Sequence, residues 1–189
     1  MRRLFAAALL AVLLAAGCGG SSPAPATPGP TPAVDDTTSG VDALFLAMMV
    51  AHTAQTLEIV DVGLDRVTDT EVRTLISAVR ATEADELATM RGWLREAGPS
   101  AAAAAARHDH TGQSDAAAGL ARLRAAPAAD ADRVLLDVLA AHQRTAAALA
   151  RAQVAAGTSA RVRDLAARID RSRTAEVALM ATLRAAPRR

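Results

Sequence analysis

The chain has 189 residues, with 21 basic and 20 acidic side chains, a formal net charge of +1, 51% hydrophobic residues and only 2% aromatic ones. Every basic residue is Arg and there is no Tyr, so neither a dominant basic field nor a stacking platform is available for nucleic acid, and that class of partner is set aside. The single cysteine, Cys18, excludes an internal disulfide and a multi-thiolate metal site.

Arg2 and Arg3 followed by the apolar run Leu4–Leu14 read as the first two regions of an export signal, the run being too short to span a bilayer comfortably. Ala15-Ala16-Gly17-Cys18 then resembles a bacterial lipobox. Residues 1–17 are therefore expected to be removed and Cys18 to carry the lipid that anchors the protein to the membrane, facing outside the cytoplasm. The Arg pair does not decide between general and twin-arginine export. Residues 18–40, rich in Gly, Ser, Pro, Thr and Ala, lack the apolar bulk to fold and read as a tether. Residues 41–187 suit one domain with a real core.

From Val41 onward the pattern is helical. Phe45, Met48/Met49, His52, Gln55/Thr56 and Ile59 recur at three- and four-residue steps. Gly63 and the polar stretch to Asp69 end that helix, and Thr68-Asp69-Thr70-Glu71 has the spacing of a capping box that opens the next. Val72, Ile76, Val79, Glu83, Glu86, Met90 and Trp93 form its stripe, closed by Gly98-Pro99. The linker 98–130 holds the Ala101–Ala106 run, His108-Asp109-His110 and a short helix expected from near Ser114 to before Pro127. Leu135, Val138, His142, Thr145 and Leu149, then Val162, Ala166, Ile169, Arg173, Glu176, Met180 and Leu183, mark two more helices with Gly157 between them.

These segments repeat. Sliding residues 42–94 forward by ninety positions, without a gap, lays them on residues 132–184, and eleven positions coincide. Among them are Asp42/Asp132, His52/His142, Thr68/Thr158, Glu86/Glu176 and Met90/Met180. A duplicated unit is expected to pack about a pseudo-twofold axis with matching residues near it. The expected fold is all-α, a four-helix bundle of two antiparallel hairpins with a connector helix.

The chemistry-bearing residues support two readings. Imidazole with neighbouring thioethers is a soft ligand set suited to Cu(I), so His52 with Met48 and Met49 forms one candidate, and antiparallel register brings Glu83 and Glu86 toward it. His142, Glu176, Met90 and Met180 are weaker candidates, and His108 with His110 could form a linker site. In the other reading the methionines fill the core and His52 is a buried imidazole bonded to a carboxylate. Glu83 and Arg173 stand at equivalent positions and are expected to meet as a structural ion pair that specifies packing. Because Arg173 replaces an acid beside His142, any copper site within the bundle is expected to be single and centred on His52. Catalysis is not expected: neither Glu86 nor Glu176 has a His three residues on, as di-iron bundles require, and no Gly-flanked nucleophile is present.

Taken together, the Asp-led helix through Met48-Met49-Val50-Ala51-His52, the segment Glu83-Ala84-Asp85-Glu86-Leu87-Ala88-Thr89-Met90-Arg91-Gly92-Trp93-Leu94 and their repetition resemble the DUF305 family of exported, ferritin-like helical bundles. The resemblance implies that fold and, for some members, an association with copper outside the cytoplasm. The chain departs from the family pattern at the His-His pairs, where Thr53 and Gln143 stand second. It departs again at Ile59 and Leu149 in place of Met, and at Glu83 and Arg173 in place of Gln. Two function classes follow: an envelope metal-binding protein, or a structural or interaction module without metal.

Overall fold

A computed structural model describes residue 38, residues 40–99, residue 103 and residues 116–186. Among these residues there are five α-helices and no strand: α1 (Gly40–Leu64), α2 (Thr70–Glu96), α3 (Ala116–Ala125), α4 (Ala131–Ala156) and α5 (Ala160–Ala185). The signal segment, Cys18 and the His108-Asp109-His110 motif lie outside the described residues.

The local boundaries follow from capping chemistry. The N-cap of α2 is Asp69, whose carboxylate accepts from the amides of Glu71 and Val72 at 2.8 and 3.0 Å. This corrects the capping-box expectation at Thr68. That residue is drawn instead to α4, where its amide and hydroxyl both donate to Asp132, at 3.0 and 2.9 Å. Past the end of α2, Gly98 takes a φ of 83°, a left-handed conformation that glycine adopts without penalty.

Helix α1 packs along α2, α4 along α5, and α1 and α4 pack on each other, while α3 lies against both α1 and α4. The approach of α1 to α4 is close at Gly63, where an added Cβ would fall 2.7 Å from a terminal methyl of Leu135. By length and composition alone α1 could cross a membrane, with a mean hydropathy of 1.5 over an 18-residue window. Half of that window is buried inside the domain, however, and Asp42 and His52 are hydrogen-bonded to other helices, so α1 serves as a core helix.

The interior has two apolar clusters. One gathers Ile59, Val60, Val72, Ile76, Leu135, Leu139 and Met180 with Leu120 and Leu123 of α3. The other gathers Phe45, Leu46, Met49, Met90, Ala150, Val162, Leu165 and Ile169. Nine of the ten residues of the second cluster lie ninety positions from a member of the first; the exception is Ala146, whose counterpart is Thr56. Each large apolar side chain so buried contributes roughly 1.5–3 kcal/mol. Between α1, α2, α4 and α5 the buried polar residues His52, Thr53, Thr56, Glu83, His142, Gln143 and Arg173 collect.

Candidate functional site: a buried polar centre

His52 and His142 come from the middles of α1 and α4. Their rings stack face to face, with centroids 3.7 Å apart and planes inclined by 4°. Each ring also bonds the other residue's backbone: His52 Nε2 lies 3.1 Å from the His142 carbonyl, and His142 Nε2 lies 3.1 Å from the His52 carbonyl. A carbonyl only accepts, so both Nε2 atoms carry the proton, an assignment that rests on the hydrogen-bond pattern. Burial first, then the neighbouring His142, hold His52 far below the ordinary imidazole range, at about 3, with the Arg173 charge adding to the effect. His52 is therefore neutral at physiological pH.

The expected carboxylate partner for His52 is thus replaced by a backbone carbonyl. The reason lies in the packing: α1 meets α4 at their centres, so the two imidazoles face each other, while the acids are drawn to a different cation. Arg173, on α5 and 0% exposed, holds Glu83 through Nε at 3.4 Å, Glu86 through Nη2 and Glu176 through Nη1 at 3.3 Å. Gln143 donates through Nε2 to both Glu83 and Glu176, at 2.7 Å each, and Ser172 donates to Glu176 at 2.8 Å. Thr56, one turn beyond His52, donates its hydroxyl to the His52 carbonyl at 3.3 Å. Burial pushes the Glu83 carboxyl up to about 7 against the pull of Arg173 and Gln143, and raises Glu86 in the same sense.

The remaining candidate ligands do not join this centre. Met49 and Met90 are fully buried in the second apolar cluster, Met180 in the first, and Met48 is half-buried on α1. Among the described residues no group of three or more His, Cys, Asp or Glu side chains is arranged to hold a metal ion. The donors are also largely committed: both Nε2 atoms donate to carbonyls, and three carboxylates already surround a guanidinium, an arrangement that does not favour a cation. A surface cavity of about 660 Å³, lined by Thr68, Asp69, Asp132, Arg133 and Arg184 among others, contains none of the candidates.

Sequence reasoning passed over a second set of polar contacts. Asp42, fully buried at the start of α1, accepts from the Thr158 amide and hydroxyl at 3.1 and 2.8 Å, from the Ser159 amide at 3.0 Å and from Gln153. It thereby ties the segment leading into α5 to α1, as Asp132 ties the segment leading into α2 to α4. The signal was present, since Asp42/Asp132 and Thr68/Thr158 both belong to the eleven repeated positions.

Comparison with known proteins agrees with this architecture. The family model described as "Domain of unknown function (DUF305)" matches residues 42–184. A DUF305 protein from Streptomyces coelicolor, provisionally described as secreted, has a similar crystal structure, with 27% identity, a TM-score of 0.66, and 76% of this chain and 89% of that one covered. A DUF305 fragment from Deinococcus radiodurans shares the fold at 20% identity and a TM-score of 0.67, with 77% and 96% covered. No curated protein matches the chain.

Proposed function

The chain belongs to the DUF305 family, and from that membership and the chemistry of its buried centre we infer that it is an exported, lipid-anchored, non-catalytic helical module of the cell envelope. Its domain is read as a ferritin-like four-helix bundle: two duplicated hairpins about a pseudo-twofold axis that passes between His52 and His142. The reciprocal imidazole–carbonyl bonds and the ninety-residue correspondence of the apolar clusters support that reading. Cys18 in its lipobox, followed by the tether, supports anchoring outside the cytoplasm, and the secreted description of the Streptomyces relative is consistent with export.

One observation carries the choice between metal protein and structural module: fully buried Arg173 surrounded by Glu83, Glu86 and Glu176. A fixed positive charge among these three acids opposes a second cation there. The polar centre then serves to fix how the hairpins meet, a role of buried ion pairs better supported than net stabilisation. The test is titration of the chain lacking its signal segment, with His108 and His110 replaced by Ala, with Cu(I) under a competing chelator. No stoichiometric uptake is expected. Tight uptake of one copper that His52→Ala abolishes would refute the proposal.

A further inference from the structure

Positions 83 and 173 are equivalent in the two repeats, yet one holds Glu and the other Arg, both fully buried and 3.4 Å apart. Their flanking acids are matched: Glu86 stands three residues after position 83, as Glu176 stands three residues after Arg173. Arg173 takes Glu176 from its own helix and Glu86 from the facing one. An Arg at position 83 would find the same set in mirror order, Glu86 on its own helix and Glu176 across. Gln143 fits either arrangement. Its Nε2 now serves two carboxylates while its Oε1 is buried without a hydrogen-bond partner, so the amide turned over would offer that oxygen to a guanidinium.

We propose that positions 83 and 173 form one guanidinium seat that can be filled from either hairpin, and that the first hairpin, which brings only acids to it, pairs solely with a hairpin that donates the Arg. The proposal rests on the bundle reading above. Pairing of the first hairpin with the first hairpin of another copy would bury two copies of Glu83 and two of Glu86 with no cation, which excludes that contact. The partner that fits is a second hairpin, from the same chain or exchanged from another copy.

The experiment compares R173E with the double variant E83R/R173E in the full chain, by thermal unfolding followed through helical circular dichroism. R173E sets four carboxylates together and is expected to lower the Tm by about 10 °C or more, or to prevent folding. Adding E83R is expected to restore most of the loss, which a purely local defect at position 173 would not allow. A double variant no more stable than R173E overturns the proposal, as does R173E with an unchanged Tm. Should R173E fail to fold, a folded double variant supports the seat and an unfolded one overturns it. Copper titration of the chain with native Glu83 and Arg173 decides the proposed function, so either proposal can fail without the other.

Discussion

Replacing Glu83 by Gln should change how stability depends on pH, in a direction fixed by burial. The folded-state pKa of Glu83 is raised from 4.5 to about 7, mainly by desolvation. Its contribution is therefore fully present below 4.5 and is lost as the pH rises through 7, because folding must then ionise a buried carboxyl. Each pH unit in that window removes about 1.4 kcal/mol, so roughly 3 kcal/mol separates its two ends. The wild-type chain has an opposing group: His52, lowered from 6.5 to about 3, contributes stability that is present above 6.5 and lost as the pH falls toward 3. Between 4.5 and 6.5 the two slopes oppose, with Glu86 adding a downward slope just above 4.5. Glu83→Gln removes one of them. Urea unfolding at half-unit steps from pH 4 to 8 should show the variant gaining on the wild type by about 1.4 kcal/mol per unit up to pH 7. A constant gap between the two curves would show that Glu83 titrates alike folded and unfolded, and the argument from burial would be wrong.

Three further outcomes are expected. Cys18→Ala should block lipidation and release the protein from the membrane fraction; unchanged fractionation would remove the anchor. His52→Ala and His142→Ala should destabilise to a similar extent, by about 2–4 kcal/mol, since each loses one stacked ring and one hydrogen bond; chemical denaturation that finds one of them silent would contradict the shared geometry. Asp42→Asn should cost more than Asp132→Asn in the same assay, because Asp42 is fully buried and serves the Thr158, Ser159 and Gln153 donors whereas Asp132 serves Thr68 in an exposed setting.

The helical character of the domain was readable from apolar spacing, and the turns from Gly63, Gly98 and Gly157, because those signals are local. The helix and turn positions expected around residues 41–64 and 132–184 lie within a few residues of α1 and of α4 with α5. The centre was legible only through the repeat. An offset of ninety says that His52 and His142 are equivalent, but not that their rings stack, and a register count along one hairpin instead pointed His52 at the acids. That count treated the hairpin as isolated, whereas the closest neighbour of His52 belongs to α4. Thr68 misled for a related reason: a hydroxyl with capping spacing can cap its own helix or bond a partner, and only tertiary contact decides.

The two apolar clusters are of unequal size, and α3 reinforces only the one around Leu135 and Ile76. Helix α1 begins at the opposite end, near Phe45 of the smaller cluster. That end is fastened by Asp42, whose bonds to Thr158 and Ser159 rivet the first turn of α1 to the start of α5. The two ends of the domain are therefore held by different means, one by a helix laid over apolar side chains and the other by a buried carboxylate shared among several donors.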